Sequence, residues 1–198
     1  MKLYLVRHGE TDFNVKGIFY GWTDCDINGH GLEQAEGLKD FFKDISIDII
    51  YSSDLKRAVH TAEIIQDQRK VPLYRRENFR ELYYGDWENV EGSYVKKHHR
   101  EELRKWYQNW ETNSIPGGEP FSEFYERVTV GLEYIIANHP EETVVLVAHS
   151  GTISAILCYL TGAGTEAFWK FPVYQGCYNS VVLSGKRIVI ERINCPVE

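Results

Sequence analysis

The chain has 198 residues, 43% of them hydrophobic and 26% charged, with a formal net charge of -7. That length suits one well-cored domain over residues 1–198, and the acidic balance excludes the basic face on which nucleic-acid binding depends. No apolar run is long enough for a membrane span or a signal-peptide core, so a cytoplasmic protein with no membrane partner is expected.

The first element is the apolar run Leu3–Val6, which ends in Arg7-His8-Gly9. Cys25 and the later Cys158, Cys177 and Cys195 lack metal-type spacing and read as reduced thiols. Asn28 is placed to cap a helix whose Leu32, Ala35, Leu38 and Phe42 share one face. A second apolar run, Ile47–Tyr51, leads into Ser52 and Ser53, which read as caps for a helix carrying Leu55, Ala58, Ala62 and Ile65. Residues 81–113 are aromatic and charged (Tyr83, Tyr84, Trp87, Trp106, Trp110) with a weak helical period, and read as an excursion over one end of the sheet. From Phe121 to Asn138 the spacing of Phe124, Val128, Leu132 and Ile135 predicts a long helix, with Pro120 in its first turn and Pro140 stopping it. Thr143–Ala148 is a third apolar run, with a helix starting beyond His149, and Ser180–Leu183 with Arg187–Ile193 read as a hairpin around Ser184-Gly185-Lys186. Unbroken short apolar runs suit strands covered on both faces. The expected fold is α/β, a three-layer α/β/α sandwich with a mostly parallel central sheet and helices on both faces.

The chemistry lies at the strand ends. LYLVRHGET near the start is echoed by VVLVAHSGT from Val144, each setting a histidine two residues past a four-residue apolar run. Ligands collect outside the carboxyl ends of the strands in an open parallel sheet, so His8 and His149 can meet in one pocket. A lone strand-end histidine would read as a backbone-bonded structural group; two in matched contexts read as functional. Arg57 falls in the first turns of the helix after SSDL, where free N–H groups make an anion site. With net charge negative, an anion site must be local. Two arginines, two histidines and a helix start fit phosphoryl transfer. His30, His60, His98, His99 and His139 lack such a context and read as surface groups. Alternation along a strand sends Arg7 and His8 in opposite directions, so the backbone must bend, and Gly9 is the residue placed to permit it.

RHGET, Asn14, Gly21-Trp22, SSDLKRAVHTA, RELYYGDWE and VAHSGTI, in that order over nearly the whole chain, resemble the histidine phosphatase superfamily, also called the phosphoglycerate mutase-like family. The resemblance implies that His8 is the nucleophile, that Arg7, Arg57 and His149 bind the transferring phosphoryl group with Asn14 as a neutral donor, and that Glu81 is the proton donor. It implies no metal and no cofactor, and a small-molecule phosphomonoester substrate for a monomer or homodimer. Flanking arginines would help keep His8 neutral and nucleophilic. Glu81 could instead be a surface carboxylate paired with Arg80 or Arg76, and Glu10 could orient the arginines.

Departures from the family pattern bear on substrate. Ser150 stands where a glycine is common and adds a hydroxyl, Trp87-Glu88-Asn89 replaces WEG with Val90-Glu91-Gly92 following like an insertion, and Gly118-Glu119-Pro120 lacks a serine. Mutases of the family are longer, and HHREELRKW does not match their paired arginines, which favours hydrolysis over mutase transfer. Among short members the chain is most similar to α-ribazole phosphatases and to broad-specificity sugar or glycerate phosphatases. Tyr20, Gly21 and Tyr84 join the candidate binding residues. Tyr20, Tyr83, Tyr84 and Trp87 could stack on a nucleoside-like leaving group or form lid core. A serine hydrolase built on Ser150 fails, because Thr152 replaces the second glycine of the elbow and no histidine follows. A non-catalytic phosphate-binding relative would have lost one of these residues, and none is lost.

Overall fold

The structure, a computed structural model, describes residues 1–197. The strands are β1 (Lys2–Arg7), β2 (Ile18–Phe19), β3 (Ile49–Ser52), β4 (Leu73–Arg75), β5 (Val90–Glu91), β6 (Thr143–Ala148), β7 (Cys177–Ser184) and β8 (Arg187–Pro196). Six of them form one sheet in the order β4-β3-β6-β1-β7-β8, while β2 and β5 pair separately. The four strands from β4 to β1 run parallel, and β7 and β8 are added antiparallel.

The apolar runs become central strands because each alternates its side chains between two covered faces. Leu3, Leu5, Val144 and Leu146 pack with Phe124, Val128, Leu132 and Ile135 of helix α6 (Phe121–Asn138) and Ile153 and Leu157 of α7 (Ser150–Thr161). Tyr4, Val6, Val145 and Val147 pack on the other face with Leu38 and Phe42 of α2 (Gly29–Phe42) and Ala58, Ala62 and Ile65 of α3 (Lys56–Gln66). The remaining helices are α1 (Asp12–Lys16), α4 (Gly92–His98) and α5 (Arg100–Gln108). The sheet is therefore sandwiched between α2 with α3 and α6 with α7.

Several expectations change in detail. Asn28 caps α2 through its side chain, but Leu32 is 40% exposed, and Gly31 holds the buried position at the helix start. Ser52 and Ser53 cap nothing: α3 begins after Leu55, and the side chain of Asp24 accepts from the Lys56 N–H at 2.8 Å. An acidic side chain thus already occupies the end of α3 that was expected to take an anion. The hairpin turn is the pair Gly185-Lys186, since Ser184 and Arg187 are already paired, and both strands extend beyond the expected bounds. The 81–113 segment contains α4, α5 and β5, and its Trp87, Val95 and Trp106 join the same buried cluster as Leu5 and Leu146. His139 is half-buried rather than a surface group, its Nε2 lying 2.8 Å from the Tyr51 hydroxyl. The four cysteines are free thiols. Among the described residues no helix is long and apolar enough to cross a membrane.

Candidate active site

β1 and β6 are adjacent, parallel and in register from Lys2 opposite Thr143 to Arg7 opposite Ala148. The next backbone bond, from His8 N–H to the Ala148 carbonyl at 3.0 Å, keeps the register one step further. His8 and His149 therefore emerge side by side at the carboxyl ends of the two strands, ring centroids 5.1 Å apart and both buried.

Their hydrogen bonds fix the tautomers. His8 Nδ1 lies 2.7 Å from the Gly9 carbonyl, which can only accept, so Nδ1 carries the proton and Nε2 keeps its lone pair. In His149, Nδ1 accepts from Arg57 Nε at 3.3 Å, so Nε2 bears the proton that it shares with Ser53 Oγ at 2.7 Å. Burial holds both histidines well below the ordinary imidazole range. Arg57 is the next contributor for each, followed by Arg7 for His8 and by His8 for His149.

The arginines are mounted differently. Arg57 is fully buried, and beyond His149 it donates to the carbonyls of Thr23 at 2.9 Å and Gly21 at 2.6 Å. Its guanidinium lies 4.6 Å from the Tyr20 ring centroid. Arg7 donates from Nη1 to the Val173 carbonyl at 2.6 Å, while its buried Nε has no partner. A cavity of about 180 Å³ collects Arg7, His8, Asn14, Arg57, Glu81 and His149, with Tyr20, Tyr84 and Ser150 also in its wall.

Glu81 points inward and pairs with neither Arg80 nor Arg76. Its carboxylate accepts from the Leu82 N–H and the Gly151 N–H, both at 2.9 Å, while Arg80 is held by Asp54. A side chain on Gly151 would meet Glu81 Oε1 at 2.3 Å, so the glycine of AHSGT makes room for the carboxylate. Asn14 accepts from the Thr11 N–H at 3.1 Å through Oδ1, and Tyr20 bonds the Thr11 hydroxyl at 2.8 Å. Ser150 contributes a long contact of 3.5 Å to the Val173 carbonyl. Tyr84 is held far above the ordinary phenol range by burial first and then by Glu81.

Gly21 does not line the cavity; it is pressed against the Leu82 carbonyl and offers its own carbonyl to Arg57. Gly9 is needed for close approach rather than for a bend: its φ is not in the left-handed region, and a Cβ there would sit 2.5 Å from the Gly31 carbonyl. Among the described residues Glu10 forms no ion pair with an arginine, its carboxylate accepting instead from the Asn28 side chain at 3.0 Å. Trp87 is core, and Tyr83 leans on Trp22 at 5.2 Å between centroids. The sequence reading missed Ser53, which bonds His149, and Thr61, which accepts from the Gly9 N–H at 3.0 Å and donates to the Arg57 carbonyl. It also missed Glu88, whose carboxylate gathers the backbone N–H groups of Gly21, Trp22, Thr23 and Tyr84.

A pH dependence of stability follows from the two neutral histidines. In the unfolded chain both take protons near pH 6.5, whereas in the fold they resist protonation to lower pH. Below about pH 6.5 the unfolded state binds more protons, so stability falls as pH drops, by up to about 1.4 kcal/mol per pH unit for each histidine. Urea unfolding between pH 7.5 and 5.5 is expected to show this decline, and the His8→Asn, His149→Asn double variant a shallower one. An unchanged slope in the double variant would mean that the pair is not held neutral.

Residues 3–196 match the histidine phosphatase superfamily, branch 1. The adenosylcobalamin/α-ribazole phosphatase of Escherichia coli K12 is 29% identical over 194 residues, covering 98% of this chain and 96% of its own. Phosphoserine phosphatase 1 of Hydrogenobacter thermophilus is 31% identical over 194 residues, covering 98% of this chain and 92% of its own. The crystal structure of the α-ribazole phosphatase from Shigella flexneri superposes with a TM-score of 0.92 at 30% identity, over the full length of both chains. With strand register, paired histidines and a match over nearly its whole length, the chain belongs to the histidine phosphatase superfamily, a family of phosphatase enzymes.

Proposed function

We propose that the protein is a metal-independent phosphomonoesterase that works through a phosphohistidine on His8. The observation that carries this reading is the tautomer of His8: a buried neutral ring whose Nδ1–H is tied to the Gly9 carbonyl keeps its Nε2 lone pair beside two arginines. Arg7 has an unpaired Nε, and Arg57 uses one N–H on each terminal nitrogen for a carbonyl, leaving the other free for a phosphoryl oxygen. These cations supply the charge that phosphoryl transfer requires.

In the first step His8 Nε2 attacks phosphorus and the bond to the alcohol oxygen breaks, while Glu81 hands that oxygen a proton. The ring becomes cationic, which strengthens its Nδ1–H bond to Gly9. In the second step water attacks phosphorus and gives its proton to Glu81, the N–P bond breaks, and phosphate leaves with His8 neutral again. Asn14 Nδ2 donates to a phosphoryl oxygen from a third side, while His149, whose ring nitrogens are taken by Arg57 and Ser53, acts by positioning Arg57. The substrate is a small phosphorylated metabolite, with α-ribazole 5'-phosphate, phosphoserine and sugar or glycerate phosphates as the candidates to test.

Acid-labile, alkali-stable labelling tests the reading. Rapid quenching with a phosphate-labelled monoester is expected to leave label on the peptide containing His8 in the wild type and none in His8→Asn. Acid-stable label on Ser150, or turnover with no label at all, would overturn it. Release of free phosphate in the presence of 3-phosphoglycerate and a bisphosphate primer, without 2-phosphoglycerate, separates hydrolysis from mutase transfer.

A further inference from the structure

A second cavity, of about 310 Å³, adjoins the first and shares Arg7, Glu81, Tyr84 and Ser150 with it. Beyond that neck its walls are mainly Trp106, Trp110, Phe121, Phe168, Trp169 and Phe171. Trp169 stands edge-on to Trp106 at 5.8 Å and to Trp110 at 5.9 Å between centroids, and Phe121 meets Trp110 at 6.5 Å. This box is assembled from α5 and the turn after it, the start of α6, and the short helical turn Thr165–Lys170 that follows α7. Among the described residues, Arg7 and Glu81 at the neck are the only charged side chains that line it.

Among the described residues, two buried side-chain nitrogens lack a hydrogen-bond partner, Arg7 Nε and Trp110 Nε1, and both residues line this cavity. A buried donor left unpaired costs about 1–3 kcal/mol, so two at one cavity are best explained by a ligand that brings acceptors. Arg7 faces the phosphoryl end. Trp110 belongs to the aromatic end, where a phosphate oxygen has no cation to meet.

We infer that this cavity takes the alcohol half of the substrate and selects an uncharged alcohol bearing a flat aromatic ring, with a ring acceptor for Trp110 Nε1–H. Offset and edge-on contacts with the tryptophans hold such a ring, and the unpaired Trp110 donor fixes its orientation. An alcohol carrying an ammonium or carboxylate, as in phosphoserine or phosphoglycerate, would find only Arg7 and Glu81 at the neck, both committed to the phosphoryl end, and beyond them would bury its charge against indole and phenyl walls. The inference rests on the phosphomonoesterase reading above and narrows its substrate class.

Primary-alcohol esters of matched leaving group provide the test: 1-naphthylmethyl phosphate, the isomeric quinolinylmethyl phosphates, phosphoserine and 3-phosphoglycerate. Both ring-bearing classes are expected to exceed the two charged esters in kcat/KM, with one quinolinylmethyl isomer the best. Trp110→Phe keeps a ring and removes the donor. It should cut kcat/KM for that isomer about tenfold more than for the naphthylmethyl ester, which loses only the packing of the larger ring, as loss of one hydrogen bond predicts. Better turnover of phosphoserine or 3-phosphoglycerate, or an equal loss for both ring esters in Trp110→Phe, overturns the inference while His8 labelling stands. Absence of both phosphate release and label with every ester overturns the phosphatase reading itself.

Discussion

Replacing His8 with asparagine is expected to lower kcat for any phosphomonoester by about four orders of magnitude or more, the scale on which loss of a covalent nucleophile acts. Inhibition by inorganic phosphate should change far less. Arg7, Arg57, Asn14 and His149 all remain, and none takes its position from the His8 side chain: Arg7 is anchored on the Val173 carbonyl and Arg57 on Thr23 and Gly21. Nor does the loss require unfolding, since the His8 ring contributes one side-chain hydrogen bond, to its own neighbour Gly9. Steady-state kinetics with phosphate as a competitive inhibitor separates the two effects. A variant that keeps kcat within tenfold of wild type would sink the nucleophile assignment, and one that loses phosphate affinity in parallel would point to a binding role.

The sheet was legible in the sequence because its central strands are covered on both faces, so Leu3–Val6 and Thr143–Ala148 had to be continuously apolar. The pairing of His8 with His149 was legible for the same reason, two like strands ending in like turns. Contacts made by backbone groups left no such trace. Arg57 could be placed on a helix from its spacing, but its main partners are carbonyls 34 and 36 residues away, in a loop of no fixed period. Glu88 sat in a run that departs from the family pattern, and its role as an acceptor for four backbone N–H groups shows only once the 21–23 and 84–88 loops are folded together. Val90-Glu91-Gly92 read as an insertion because a two-residue strand such as β5 is too short to show any alternation. Ser52 and Ser53 read as caps by position, whereas the Ser52 hydroxyl donates to the Ser53 carbonyl and the Ser53 hydroxyl bonds His149.

Arg57 carries the second large expectation, in which stability and activity separate. Arg57→Ala leaves the Gly21 carbonyl and the Nδ1 of His149 without donors in a buried site, and the half-buried Thr23 carbonyl without its donor. Unpaired buried groups of this kind cost together about 3–5 kcal/mol, which for a chain of this size lowers Tm by roughly 10 °C. The loop of residues 21–23 loses its inner anchor at the same time, although Glu88 still holds it from outside. Arg57→Lys keeps a cation near His8 but replaces a planar fork by a single ammonium, which cannot reach Nδ1 and two carbonyls in one plane. The lysine variant should therefore recover part of the lost Tm while kcat stays at least about a hundredfold below wild type, because the free N–H groups of the fork no longer face the phosphoryl oxygens. Calorimetry alongside turnover at a temperature where all three proteins are folded reads both quantities. Full kcat in the lysine variant would mean that charge alone suffices at this position, and an unchanged Tm in Arg57→Ala would mean that the carbonyls find other donors.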